Sequence, residues 1–296
     1  MFGRLSVNSH IGRYGRWRAV FLVIAMVVAS LPLVAAPAFA KRPPKDSPPE
    51  EPPAATAAPN FKSVETAGGY LSSGSSLDIS VPADVVAGDF LIAQIAYNAN
   101  GTITPPDGWN TIDVIDHSSK PIMQGLYWRE ATADEPAGHA FLLTSGKYDT
   151  VSGAIAAYTN VDLADPIDAF GGQENGTSTS IVAPSINTSV SNTILIGFFS
   201  VRDNGSITPP SDLIEHWNHY SAGGVGAIGE TVALGADTIF AEIGGTGTRT
   251  AVAEGSDGSI GHLVALKPAT STSDSDETYV QWEDAAALQG LPPGQY

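Results

Sequence analysis

The sequence predicts an all-β protein, a jelly-roll-like β-sandwich built from two similar halves. Short apolar runs are set off by Gly, Pro, Asn and Asp, and these turn signals recur at intervals of about 8–12 residues, as in sandwiches and barrels. One series of motifs occurs twice, 104 positions apart. Between residues 60 and 268 no stretch carries a long helical period.

The chain of 296 residues opens with Arg4, Arg13, Arg16 and Arg18, an apolar run from Val20 to Val34, and Ala38-Phe39-Ala40. That order of basic, apolar and small residues marks residues 1–40 as a signal peptide. Ser30 and Pro32 interrupt the run, which is shorter than the roughly 20 residues that span a bilayer. Cleavage after Ala40 is therefore expected, with no stable membrane insertion afterwards and a secreted product, extracellular or periplasmic. Removing the four arginines moves the formal charge from −17 to −21. Such a surface repels nucleic acid and anionic lipid. The chain has no cysteine, which excludes disulfides, thiolate metal ligands, thiol nucleophiles and a lipid-bearing cysteine.

Residues 41–59 are Pro, Ala and charged residues, a composition that favours an extended spacer over a core. From residue 60 the strands follow. Ser76 to Val81 and Trp109 to Asp116 alternate as half-exposed strands do. Phe90 to Tyr97, Ile122 to Trp128, Ile155 to Tyr158, Ile194 to Phe199 and His262 to Leu266 are apolar enough for central strands. Phe90 to Ile92 followed by Asn100-Gly-Thr-Ile-Thr-Pro-Pro106 returns as Ile194 to Ile196 followed by Asn204-Gly-Ser-Ile-Thr-Pro-Pro210. Ile79-Ser-Val-Pro82 corresponds to Ile181-Val-Ala-Pro184. The halves run over about 60–160 and 175–268. They read as two small sandwiches in tandem or as one duplicated sandwich, and the short join between Asp162 and Thr177 favours a single domain over 60–268. Residues 269–296 form an acidic tail, either solvated or carrying a short helix on which Tyr279, Trp282 and Ala286 share a face.

The runs Val81 to Ala93, Thr104-Pro-Pro-Asp-Gly-Trp109, Leu126 to Thr132, Ala154 to Tyr158, Asp165 to Ala169 and His262 to Lys267 carry a family likeness. Together they resemble a widespread β-sandwich module of bacterial exported, surface and phage-associated proteins, with repeats of the Ile-Thr-Pro-Pro…Gly-Trp type. The resemblance covers residues 60–268. It implies a jelly-roll-like fold and an extracellular setting; the module has no general assigned activity and offers no catalytic residue to carry over.

The residues themselves name no catalytic constellation. Gly224-Val-Gly-Ala-Ile-Gly229 matches a dinucleotide-loop spacing, but the segment after it is too short and glycine-broken for the helix such a loop requires. A glycine-rich strand is the plainer reading. No Gly-x-Ser-x-Gly elbow occurs. Glu130, Glu135, Glu215, Glu230 and Glu242 supply carboxylates for glycosidase chemistry without a spacing that selects a pair. Asp162, Asp165 and Asp168 lack the alternation of a calcium loop, and His216 and His219 fall on opposite faces of a strand, so neither cluster reads as a metal site. No cofactor is expected.

Glu215-His-Trp-Asn-His-Tyr220 is the best surface candidate. Trp217, His219 and Tyr220 bring aromatic or imidazole area of the kind that stacks on sugar rings and anchors interfaces. The expected function is an exported, non-enzymatic binding or surface-interaction module recognising a polysaccharide or a cell-surface partner. A structural or assembly protein of the envelope and a secreted glycan hydrolase are the alternatives.

Overall fold

The computed structural model describes residues 57–270 except 73, 99, 145–148, 204 and 222–228. The leader, most of the spacer, the acidic tail and most of the Gly224-to-Gly229 motif lie outside the described residues. Those that are described are all-β and form a β-sandwich with no helix.

The first eight strands are β1 (Asn60–Leu71), β2 (Ser76–Ser80), β3 (Phe90–Tyr97), β4 (Thr102–Thr104), β5 (Asn110–Asp116), β6 (Met123–Glu130), β7 (Gly138–Thr144) and β8 (Asp149–Thr159). The next eight are β9 (Ile167–Ala183), β10 (Asn187–Thr188), β11 (Thr193–Val201), β12 (Ile207–Thr208), β13 (Ile214–Tyr220), β14 (Val232–Phe240), β15 (Gly244–Gly245) and β16 (Arg249–Leu266). One large antiparallel sheet runs β1-β8-β3-β6-β5. The other runs β9-β16-β11-β14-β13, the same path with β9 in the place of β1. A small sheet, β2-β7-β4, covers the first. Over the second, the start of β16 pairs with the end of β9 on one side and with β12 on the other.

Period-two alternation explains the layering. On β3, Leu91, Ala93, Ile95 and Tyr97 face the small sheet, where Leu77, Ile79, Phe141 and Leu143 meet them in one core. Leu195, Phe199 and Val201 of β11 pack likewise on Ile181, Ala251 and Ala253 in a second core. The opposite faces of both large sheets meet in a third: Phe90, Ile92, Ala154, Ala156 and Tyr158 lie against Ile194, Ile196, Phe198, Val264 and Leu266. β3, β8 and β11 are thus apolar on both faces, which is why they read as continuous hydrophobic runs.

Registers correspond across the halves. β5 and β13 begin at Asn110 and Ile214, 104 positions apart, and each carries a bulge after its second residue, Thr111/Asp113 and Glu215/Trp217. β1 carries one at Phe61/Ser63. Bulges on these outer strands twist the exposed edges away from pairing with another chain. The strand in β1's place within the second half starts at Ile167, earlier than the sequence pattern places it.

Candidate interaction surface

The bulge decides where the surface candidates point. With the extra residue in β13, His216 and Trp217 both turn toward the first large sheet. Trp217 is 4% exposed and lies in the shared core, its Nε1–H donating to Gln94 Oε1 at 2.8 Å. The indole crosses β14 flat over Gly235; a Cβ there would come within 1.9 Å of its Cζ2. It has no free face for a sugar ring, which removes it from the expected stacking platform. His219 is half-buried, with Nδ1 2.8 Å from Ser152 Oγ. Of the three, only Tyr220 is exposed, at 38%, and its hydroxyl donates to Glu230, which raises its pKa.

Trp217 begins a run of buried side chains. Gln94 Nε2 donates to Gln124 Oε1 (2.8 Å) and Phe199 O (3.2 Å). Gln124 Nε2 stands 2.7 Å from His262 Nδ1, and His262 Nε2 3.2 Å from Asp113 Oδ2. His262 is fully buried against Gly172, where a Cβ would come within 2.2 Å of its ring. The hydrogen bond from His262 holds the Asp113 carboxyl below its ordinary range, against an opposing effect of burial. Sequence reasoning missed this run: Gln94 and Gln124 sit inside apolar strands, and that placement was the available signal.

The other chemically suggestive groups are occupied by the fold. Ser152 Oγ lies beside the His219 ring as a nucleophile lies beside its base, but it is fully buried and its one hydrogen donates to His219 O, so no substrate reaches its oxygen. Burial lowers the pKa of His219. Tyr158 donates to Asp237 Oδ2 at 2.9 Å; His216 Nε2 is 2.9 Å from the same oxygen, within ion-pair range though not aligned for a hydrogen bond. Phe61 stacks on His216 and meets Tyr158 edge-on. Burial opposes ionisation of Glu135, yet Thr132 N–H, His139 and Arg129 outweigh it and hold its pKa down. The acidic loop diverges: Asp162 accepts from Ala164 N, Asp165 pairs with Lys267, and Asp168 takes Ser189. Among the described residues no group of three or more His, Cys, Asp or Glu side chains is placed to hold a metal ion.

The two ends of the sandwich leave from one pole. β1 starts opposite the end of β8, and β16 ends beside the start of β11. Asn160, at positive φ between the halves, donates to Ala58 O (3.0 Å), while Ala269 N donates to Asn160 O (2.9 Å). The ends of β1, β3, β5, β7, β11 and β13 lie at the opposite pole. Tyr70 (44% exposed) and Tyr220 stand there at the ends of two outer strands, on different sheet faces. Near the chain ends, Ile214 (67%), Ile239 and Ile243 are exposed instead. No known family model, curated protein or solved structure matches the chain.

Proposed function

We propose that the protein is an exported, non-enzymatic surface-interaction module. It contacts a polysaccharide or a cell-envelope partner with the pole opposite its two ends, and residues 41–59 act as the spacer. The observation that carries this reading is the exit of both ends beside Asn160. A domain tethered at one pole leaves the other clear, and connecting loops are where binding residues concentrate. The signal-like leader and the resemblance to exported surface modules agree with it. Tyr70 and Tyr220 supply exposed aromatic area at that pole.

The test is binding of the chain from Lys41 to Tyr296 to immobilised polysaccharides and to isolated envelope fractions. Changing Tyr70 and Tyr220 to Ser weakens binding about tenfold or more, as loss of an aromatic anchor does. Ile214→Ser with Ile239→Ser leaves it unchanged. The reverse pattern overturns the assignment of the pole. Binding to nothing, with oligomers growing as concentration rises, overturns the module reading in favour of assembly.

A further inference from the structure

The buried run between the large sheets has a direction that chemistry fixes from both ends. An indole N–H donates and cannot accept; an ionised carboxylate accepts and cannot donate. Trp217 Nε1 is 2.8 Å from Gln94 Oε1, so Gln94 presents its oxygen to the indole and its nitrogen to Gln124. Gln124 then presents its nitrogen to His262 Nδ1, which carries no proton, and His262 Nε2–H faces Asp113. Every donor points the same way. Neither amide orientation nor the imidazole tautomer is free, and each of the five groups has its partner.

A second proton on His262 has one place to go, Nδ1, where it meets the N–H of Gln124. Relief requires Gln124 to turn its oxygen to the imidazolium, which points its nitrogen at the nitrogen of Gln94. Gln94 must turn in response, and its nitrogen then faces Trp217 Nε1–H. There the rearrangement stops, because indole cannot accept. The turned amides also give up the carbonyls they now share, Phe199 O at 3.2 Å and Phe198 O at 3.5 Å. We propose that this run is a proton-operated latch between the two large sheets: protonating His262 at one side unseats the Trp217 indole at the other.

The surroundings of His262 leave it this route. β5 presents Asp113; β6 presents Gln124, β9 Gly172 and β11 Phe198, none of them charged. Farther toward the loop pole, His117 pairs with Glu174 and Asn175 O, and Asp257 with Lys120 and Arg202. Toward β13, Asp237 engages Tyr158 and His216, and His219 engages Ser152.

Nitrogen-15 NMR of the whole secreted chain tests the latch. At neutral pH the His262 ring is expected as the Nε2–H tautomer with a bare Nδ1, and the Trp217 indole proton downfield as a bonded one. On acidification the indole proton moves upfield in step with protonation of the His262 ring. Gln124→Met cuts the run: the ring still titrates and the indole no longer follows. His219→Gln, which removes the imidazole two residues from Trp217, leaves the coupled response in place and keeps the test sharp should Gln124→Met fail to fold. An Nδ1–H tautomer, a ring that stays neutral until the chain unfolds, or an indole that ignores His262 or follows His219 overturns the proposal.

Discussion

Gly235→Ala tests whether the two large sheets are locked by Trp217. The added methyl carbon would stand 1.9 Å from Cζ2 of the indole and 2.2 Å from Cε2 and Cη2. Carbon contacts settle at roughly 3.5–4.0 Å, so the ring must retreat by more than an ångström. It is closed in by Phe198 at 5.9 Å between centroids and held by Gln94 at 2.8 Å, and the retreat breaks that bond. Overpacking costs about 1–3 kcal/mol, and a buried unpaired indole N–H about the same. Alanine's better strand propensity returns about 0.5–1 kcal/mol. The expected loss is roughly 1–5 kcal/mol, read from urea unfolding followed by tryptophan fluorescence and far-ultraviolet dichroism. In a Trp217→Leu background the same change costs under about 1 kcal/mol, because the clash is gone. A Gly235→Ala protein as stable as its parent, or an equal loss in both backgrounds, refutes the reasoning.

Acid weakens the fold in two stages. His139 and His219 are held neutral by burial below their ordinary value of 6.5, so the unfolded chain takes up protons first and stability falls as pH drops below 6.5. The carboxylates of Glu135, Asp113 and Asp257, all depressed in the fold, add a second loss below their ordinary values of 4.5 and 3.8. Denaturant titrations from pH 8 to 3.5 check this, and constant stability between pH 7 and 5 contradicts the first stage. Tyr158→Phe strips the donor from Asp237 in a buried pocket and lowers stability by about 1–3 kcal/mol. A neutral or stabilising result would mean that Asp237 finds its partner elsewhere.

The strands that read clearly in sequence are those with an apolar residue on both faces. Phe90 to Tyr97 coincides with β3, and Ile194 to Phe199 lies within β11. β1 and β9 were hidden for the opposite reason: their sequences, Asn-Phe-Lys-Ser-Val-Glu-Thr-Ala-Gly-Gly-Tyr-Leu and Ile-Asp-Ala-Phe-Gly-Gly-Gln onward, are polar and glycine-rich outer strands held by backbone pairing. Trp217 was a surface candidate for its aromatic area, and the bulge at Glu215/Trp217, which the sequence pattern does not show, goes with its place in the shared core. One extra residue reverses the facing of everything on one side of it. Gln94 and Gln124 look like accidents inside hydrophobic runs until strands more than a hundred positions away in sequence bring His262 and Trp217 to them.

The same strand order built twice raises a question of specificity that the polar run answers. Two like sheets with wholly apolar inner faces could slide by one pair of residues, or meet the corresponding sheet of another chain, with little change in buried area. Equivalent register positions do not carry equivalent chemistry, however. Asp113 occupies on β5 the place of Trp217 on β13, and Leu126 opposite it takes the place of Gly235. Gln94 stands where β11 has Phe198, and His262 where β8 has Ala154. The hydrogen-bonded run is complete only when one half meets the other in one register. Any slip, or pairing of two first halves, leaves Gln94 Oε1 without the Trp217 indole and Gln124 Nε2 without His262, at about 1–3 kcal/mol for each unsatisfied group. A penalty of that size outweighs the small differences in apolar burial between registers and selects a single arrangement.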